Sequence, residues 1–302
     1  MEINGVCIDE TYAEAFGMYA SRVLITACSK GWAMEAARSM AGFGTSVIGC
    51  GCEVAIGTEA TETPDDRPGV SVMLFATSKK AVQEQLINRI GQCVMTAPTS
   101  ACYNDLEAED RLSIGGKLKF FGDGFQISKR FEPRMFGNGS GPRRFWRIPV
   151  MDGEFIVEDR FGVQKGVGGG NFLLLGSELS VTLQAAERAI EAMRKVPGVI
   201  MPFPGGVVRS GSKVGSRYKF LNASSNTAFC PSLRGAVKSE LPEGVGAVLE
   251  IVVDGLTPEA VGEAMRVGIR AACGPGVVKI SAGNYGGKLG KHHFHLHQLL
   301  AG

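Results

Sequence analysis

The sequence lacks several features that define whole classes of proteins. It has no uninterrupted apolar stretch near the roughly 20 residues that a helix needs to cross a bilayer. Its first ten residues are acidic and carry no long apolar run, unlike a secretory signal peptide. The net charge is only +2 over 302 residues, so the charge balance requires no polyanionic partner. We therefore expect partners other than a membrane or a nucleic acid.

Cysteine and histidine show no disulfide or metal pattern. Eight cysteines are scattered, and Cys50 and Cys52 are one residue apart rather than the two of redox and zinc motifs. Without a signal peptide, this favours reduced thiols and a cytoplasmic protein. The histidines lie together near the C-terminus, at His292, His293, His295 and His297. On a strand three of them would share a face, but no acidic or thiol ligand lies nearby at a metal-binding spacing, so we expect no metal site.

What is present is one order of elements that occurs twice. In the first half, strand-like segments cover residues 22–27, 45–50, 70–76 and 92–97, and helix-like segments cover 29–41 and 78–90. In the second half, strands are expected at 171–175, 199–203, 247–253 and 276–282, and helices at 180–195 and 257–273. Each half reads β-α-β-β-α-β. The sequence predicts an α/β protein, an α+β sandwich of two ferredoxin-like βαββαβ lobes with mainly antiparallel sheets flanked by helices.

The predicted lobes comprise residues 1–146 and 147–302, and the second contains a long insertion at 204–246, whose length is typical of a functional or flexible segment. Between the halves, residues 129–147 are rich in arginine, glycine and aromatic residues, which predicts a loop. That loop could bind RNA, or dock an acidic ligand or partner, or be simply solvated. Residues 147–160 are expected to form a hairpin that turns at Asp152 and Gly153.

Two glycine-rich runs, at residues 202–216 and 281–292, dominate the second half. Glycine allows sharp turns and close approach, and each run also carries lysine, serine or asparagine. Such segments offer backbone N–H donors, hydroxyls and cations to an anionic or amide-bearing ligand. Tight surface turns are the alternative interpretation.

Glu250 is a candidate catalytic residue because it interrupts an apolar strand at residues 247–253. Burial raises the proton affinity of a carboxyl group that has no charged partner. A protonated carboxyl can donate a hydrogen bond to a developing oxyanion or relay a proton. An outward-facing or arginine-paired glutamate is the alternative.

A set of ordered segments carries a resemblance that runs nearly end to end. They are residues 13–16, 45–53, 84–86, 89–93, 149–151, 153–158, 169–172, 202–206, 210–215, 250–252 and 283–292. In these segments the sequence resembles formylmethanofuran:tetrahydromethanopterin formyltransferases. The resemblance implies a two-lobed subunit of a homotetramer, with active sites in clefts at subunit interfaces. It implies formyl transfer between the amine of a furfurylamine carrier and N5 of a reduced pterin, with no tightly bound cofactor or metal.

The resemblance also implies roles for particular residues. Glu250 matches a strand glutamate thought to assist at the tetrahedral intermediate. Motif position and chemistry suggest substrate contacts for Phe203, Gly205, Gly206, Ser210, Ser212, Lys213, Asn284, Tyr285 and Lys288.

The near-neutral charge and the basic residues 129–147 resemble the bacterial branch of the family. That branch implies a subunit of a formyltransferase/hydrolase complex in one-carbon oxidation, with hydrolase or dehydrogenase-like partner subunits. The carrier would then be methylofuran-like with a polyglutamate tail, and the basic loop could bind that tail or an acidic partner. A non-catalytic formyl-carrier platform within such a complex is the alternative function.

Overall fold

The computed structural model describes residues 1–60, 62–118, 121–131, 142–221 and 223–302. The chain forms two compact units, Met1–Gly17 with Gly166–Gly302, and Met18–Lys165. Within the described ranges, none of the helices has both the length and the apolar character required to cross a membrane.

The strands of the first part of the chain are β1 (Glu2–Ile3), β2 (Val6–Ile8), β3 (Tyr12–Thr26), β4 (Glu53–Ala60), β5 (Gly69–Ala76), β6 (Ala101–Asn104), β7 (Arg111–Ser113), β8 (Ile127–Phe131), β9 (Arg143–Val150), β10 (Gly153–Glu158) and β11 (Arg160–Gly162). The helices of this part are α1 (Lys30–Ala41), α2 (Val47–Cys50) and α3 (Lys79–Arg89). A π-helical turn, Ile90–Val94, follows α3 directly, and Gly115–Lys117 forms a 3₁₀ turn.

The remaining strands are β12 (Gln164–Gly176), β13 (Val199–Ile200), β14 (Lys213–Val214), β15 (Ala223–Ser224), β16 (Ala247–Gly255), β17 (Val277–Ser281) and β18 (His292–His295). The helices here are α4 (Leu179–Met193), α5 (Pro258–Ala272) and α6 (Leu296–Ala301). Three 3₁₀ turns lie between β13 and β16, at Pro204–Gly206, Thr227–Phe229 and Pro231–Leu233.

The unit Met18–Lys165 has the predicted ferredoxin-like arrangement. Its strands pair antiparallel in the order β4-β5-β3-β6, and α1 and α3 cover one face with a core that includes Leu74 and Leu86. Serine side chains begin both helices: Ser29 accepts from the N–H of Trp32, and Ser78 from that of Ala81. Beyond β6 the sheet continues through β10, β9 and β8.

The unit of residues 1–17 and 166–302 repeats this arrangement with the antiparallel order β13-β16-β12-β17. Helices α4 and α5 pack on one face of β12 and β16. Helix α5 lies within the predicted range 257–273 and begins at Pro258 after the Thr257 cap. The N-terminal β2 joins this sheet by pairing parallel with β17. The prediction of two βαββαβ lobes with mainly antiparallel sheets flanked by helices is therefore confirmed.

Two predicted strands are wrong, because both segments form helical turns instead. Residues 45–50 contain α2, where the Ser46 side chain accepts from the N–H of Ile48 and Glu53 accepts from that of Val47. Gly51 ends the turn at a φ of +75°. Residues 92–97 continue the π-helical turn after α3, and the fourth strand of this unit is instead β6.

The structure also differs from the sequence predictions at the N-terminus and in residues 129–147. The N-terminal 17 residues belong with the C-terminal unit because β2 pairs with β17, while β9 and β10 extend the sheet of Met18–Lys165. The lobe boundary between residues 146 and 147 stays a prediction. The ends of the predicted loop 129–147 are paired strands, β8 and β9, so the loop prediction is wrong there. Its centre, residues 132–141, lies outside the described residues.

Candidate active site

A cleft of about 580 Å³ lies within the unit of residues 1–17 and 166–302. Its volume suits a small organic ligand. Most of its lining side chains are polar. They come from β12, β16, β17, the segment between β2 and β3, and the segments around both glycine-rich runs. The lining residues are Asp9, Glu10, Thr11, Asn171, Leu173, Ser212, Lys213, Val214, Asn226, Phe229, Glu240, Glu250, Ser281, Ala282, Gly283, Asn284 and Tyr285.

Glu250 lies on β16 at the wall of this cleft. The backbone of β16 pairs Glu250 with Leu173 on one side, and on the other it exchanges two hydrogen bonds with Val208, at N···O distances of 2.7 and 2.9 Å. Its neighbours Leu249 and Ile251 face the core under α4 and α5, so Glu250 projects from the opposite face of the sheet. Burial raises the pKa of the Glu250 carboxyl to about 7. Both protonation states are therefore available near neutral pH.

Tyr285 lies close to Glu250 in the same cleft. Burial raises the pKa of its phenol, the negative charges of Glu250 and Glu14 raise it further, and a hydrogen bond with Ser212 opposes them. Its ring also lies against that of Phe16, with centroids 6.0 Å apart. The phenol therefore keeps its proton at neutral pH, and it shares the cleft with Ser212 of the other glycine-rich run.

Carboxylates outnumber cations along the cleft. Asp9, Glu10 and Glu240 line it with Glu250, and Lys213 is the lysine among the lining residues. The Lys213 ammonium donates to Thr227 Oγ1 at 2.9 Å, and Asp9 pairs with Lys279 at 2.7 Å. Such a lining suits a ligand rich in N–H donors better than a phosphate.

The structure brings together five of the residues selected from the sequence, Glu250, Ser212, Lys213, Asn284 and Tyr285. Ser210 lines a small pocket of about 30 Å³ that also contacts Glu250. Phe203, Gly205, Gly206 and Lys288 are not among the described residues that line the cleft. Gly206 is buried against Ile190 of α4, while Gly205 and Lys288 are exposed.

Glu14 is a prominent residue that sequence reasoning missed. Its fully buried carboxylate accepts four backbone hydrogen bonds from the second glycine-rich run, at 2.6–2.8 Å. The donors are the N–H groups of Tyr285, Gly287, Leu289 and Gly290. Burial alone would raise the pKa of Glu14, but these four bonds outweigh it and hold the pKa at about 2. The available signal was a glutamate between Ala13 and Ala15, in an otherwise apolar stretch.

Asn171 is a second residue that was missed. Its side-chain oxygen accepts from the N–H of Gly283 at 2.6 Å, and its amide nitrogen donates to the carbonyl of Gly283 at 3.2 Å. It also donates to the carbonyl of Gly169 at 3.1 Å. Asn171 therefore attaches the start of the second glycine-rich run to β12.

The histidines do not form the face considered from the sequence. Strand β18 ends at His295, and His297 lies in α6, where its Nε2 is 2.9 Å from the carbonyl of Ile8. Across the described ranges, no group of three or more histidine, cysteine, aspartate or glutamate side chains is arranged to hold a metal ion.

Comparison with known proteins identifies close relatives of this chain. Residues 1–150 match the model of the formylmethanofuran-tetrahydromethanopterin formyltransferase family, and residues 153–299 match that of its proximal lobe. The formyltransferase of that name from Methylococcus capsulatus is 55% identical over 307 residues, covering all of both chains.

Two solved structures are also similar. A chain of the formyltransferase/hydrolase complex from Methylorubrum extorquens, solved with methylofuran, is 48% identical, with a TM-score of 0.94 and coverage of 99% of this chain and 98% of that one. The Methanosarcina barkeri formyltransferase is 49% identical, with a TM-score of 0.89 and coverage of 99% and 100%. The chain therefore belongs to the formylmethanofuran-tetrahydromethanopterin formyltransferase family.

Proposed function

We propose that this chain transfers a formyl group between N5 of tetrahydromethanopterin and the amine of a methanofuran-type carrier, with Glu250 as the acid–base group. The observation that carries the assignment of Glu250 is its place on the cleft wall, where its pKa is raised to about 7 beside the Tyr285 phenol. Family membership and the two structural relatives support the reaction itself.

The reaction balances without a resident cofactor. Pterin N5 attacks the formamide carbon of the formyl carrier, a C–N bond forms, and the carbonyl oxygen becomes an oxyanion. The bond to the carrier nitrogen then breaks as that nitrogen takes a proton, and N5 loses one. Protonated Glu250 donates to the oxyanion and passes its proton to the leaving nitrogen, and its carboxylate recovers the proton from N5. The reverse transfer follows the same path.

The remaining polar groups orient the two substrates. Ser212, Lys213, Asn284 and Tyr285 surround the space that Glu250 faces, and we assign them substrate contacts there. One donor to an oxyanion is typically worth about 3–4 kcal/mol, and correct positioning of two reactants can contribute roughly 7–11 kcal/mol. Positioning by the cleft is therefore the larger catalytic effect. Phe203, Gly205, Gly206, Ser210 and Lys288 are proposed to contact substrate parts outside it.

The cellular setting is proposed from the relatives. The structure from M. extorquens belongs to a formyltransferase/hydrolase complex with bound methylofuran. We infer a homotetramer of this chain, with hydrolase-type partner subunits and net transfer from the pterin to a polyglutamate-tailed furan carrier. The eight free cysteines are consistent with a cytoplasmic location.

The test is formyl exchange by the purified protein alone. Formyl-tetrahydromethanopterin is mixed with a furfurylamine carrier, and the formylated products are followed by mass. Transfer without added metal or partner is expected. A folded oligomer that binds both substrates but transfers nothing would favour the alternative, a carrier platform whose partners perform the chemistry.

A further inference from the structure

The second glycine-rich run is held by the chain itself. All four N–H groups that converge in it, those of Tyr285, Gly287, Leu289 and Gly290, donate to the carboxylate of Glu14 on β3. Such a concave set of amides is the kind of site that binds anions. Here the anion is an internal side chain, so these amides are not available to a substrate.

The glycines of this run fit the same geometry. Gly286 and Gly287 have φ values of +74° and +72°, in the left-handed region that favours glycine. A Cβ on Gly290 would lie 2.5 Å from the carbonyl oxygen of Ala15 and 2.8 Å from Cγ of Glu14. The run is therefore glycine-rich because it wraps closely around a carboxylate.

Tyr285 connects the loop that Glu14 holds to the cleft. Its backbone N–H is the first of the four donors, at 2.7 Å from Glu14 Oε2, while its side chain lines the cleft together with Ser212 and Glu250. The four bonds lower the pKa of Glu14 to about 2, so its carboxylate is charged at neutral pH. Glu14 itself has no exposed surface and does not line the cleft.

We propose that Glu14 is a positioning residue for formyl transfer: its buried carboxylate fixes the loop at residues 285–290 and thereby places the Tyr285 phenol beside Glu250. This inference rests on the proposed function for its effect on rate, whereas the hold on the loop is a property of the folded chain that is measured separately. Asn171 holds Gly283, two residues before this loop, by accepting a hydrogen bond from its backbone N–H.

The decisive variant is Glu14→Gln, which keeps the shape but removes the charge and replaces one acceptor oxygen with an N–H₂ group that faces backbone donors. Glu158→Gln is the control in the other unit, because Glu158 is also a buried glutamate that accepts from a backbone N–H, that of Asn104. Glu158 also pairs with Arg143, so this variant removes a buried charge together with an ion pair and is a demanding control for general destabilisation. Glu14→Asp keeps the charge and tests whether a carboxylate alone restores part of the activity lost in Glu14→Gln.

Two readouts are needed. Hydrogen exchange of the peptide covering residues 284–290 should rise at least tenfold in Glu14→Gln, while peptides of β12 and β16 stay protected. In the same variant kcat should fall about 30-fold with a smaller change in KM for either substrate, and Glu14→Asp should recover part of the loss. Glu158→Gln, compared as folded protein, should leave both the loop exchange and kcat unchanged.

Continued protection of the loop in Glu14→Gln would overturn the proposal, as would a freely exchanging loop with undiminished kcat. An equal loss of kcat in Glu158→Gln would also overturn it, since the effect would then be general destabilisation. A wild-type protein that transfers no formyl group would contradict the proposed function, and the exchange measurement would still decide whether Glu14 holds the loop.

Discussion

Glu250 shows how one face of a strand determines the chemistry of a residue. The β16 backbone pairs on both sides of it, so its Cα position is fixed, and the alternation of the strand directs its side chain away from the helix-covered core. Burial, with no cation paired to it among the residues that the structure describes, raises its pKa to about 7. A carboxyl group in this state can give and take a proton at neutral pH.

Replacement of Glu250 by glutamine should remove the proton relay and preserve the shape. We expect kcat to fall by about 100-fold or more, within the range of general acid–base effects. In the wild type the rate should decline as pH rises through about 7, because the protonated form is lost. The pH–rate profile of Glu250→Gln should be flat in this interval. Glu263→Gln, on the outer part of α5, serves as the control, and unchanged turnover in Glu250→Gln would contradict the assigned role.

Loss of the Tyr285 hydroxyl should affect chemistry more than folding. In Tyr285→Phe the ring still packs near Phe16, but the phenolic donor in the cleft that Glu250 also lines is gone. We expect kcat to fall about tenfold to a hundredfold, with little change in melting temperature. Tyr218→Phe, on an exposed tyrosine, is the matched control. Equal rates for the two variants would place Tyr285 outside the reaction.

The sequence identifies a site residue when its immediate neighbours make it unusual, and misses one whose partners lie far away in the chain. Glu250 is conspicuous because a single charged residue interrupts six apolar neighbours. The role of Glu14 depends on four amides about 270 residues away in the chain, so no local pattern contains it. The sequence marks the glycines of that run as unusual without indicating that their ligand is internal.

At the scale of elements, hydrophobic periodicity predicts the long helices and the central strands. It fails where a capped helical turn replaces an apparent strand. Val82 and Leu86 mark one buried face of α3, and Ile90, four residues further at the start of the π-helical turn, is buried as well. The apolar residues 45–50 have the composition of a strand, yet the Ser46 cap and the Glu53 carboxylate together stabilise a helical turn. The first of these is visible in the sequence, whereas the second depends on the chain folding back.

The turn Pro204–Gly206 offers a test of close packing next to the strand that carries Glu250. Gly206 has a φ of +90°, and a Cβ there would lie 2.5 Å from Ile190 Cδ1. Gly205 has a φ of +65° but no atom within 4 Å of an added Cβ. We expect Gly205→Ala to cost about 1 kcal/mol through backbone strain and Gly206→Ala about 1–3 kcal/mol more through overpacking. Urea denaturation of both variants measures the difference, and equal losses would show that Ile190 moves aside freely.

The β8–β9 hairpin places like charges opposite each other. Arg130 is the cross-strand partner of Arg144, an arrangement that is unfavourable without an anion. We expect Arg144→Glu to raise the KM for a polyglutamate-tailed carrier several-fold at low salt, and to leave the KM for a tail-free furfurylamine carrier unchanged. Lys195→Glu, at an exposed position two residues after α4, is the control. A uniform change for both carriers would argue against an anion-binding role for the hairpin.

At the scale of the whole molecule, the candidate site belongs to one of the two compact units. Residues 9–14 and 281–290, from opposite ends of the chain, meet there because β2 pairs with β17 and β3 pairs with β18. The order of elements in each half predicted two ferredoxin-like lobes, although two strands of the first half, β4 and β6, lie at other residues than predicted. The sequence did not predict that the first 17 residues belong to the C-terminal unit. Strands as short as β1 and β2, with two and three residues, show no recognisable alternation of apolar and polar residues.

The pH dependence of global stability tests the environment of Glu250 independently of catalysis. Its pKa rises from 4.5 to about 7 on folding, so the folded protein binds this proton more tightly than the unfolded chain does. The free energy of unfolding therefore falls as pH rises from about 4.5 through 7, and this group accounts for a loss of about 2–3 kcal/mol between pH 5 and pH 8. Glu250→Gln should lack that loss and be more stable than the wild type at pH 8. Urea denaturation at unit pH intervals measures both curves, and parallel curves would mean that water or a cation reaches the Glu250 carboxylate in solution.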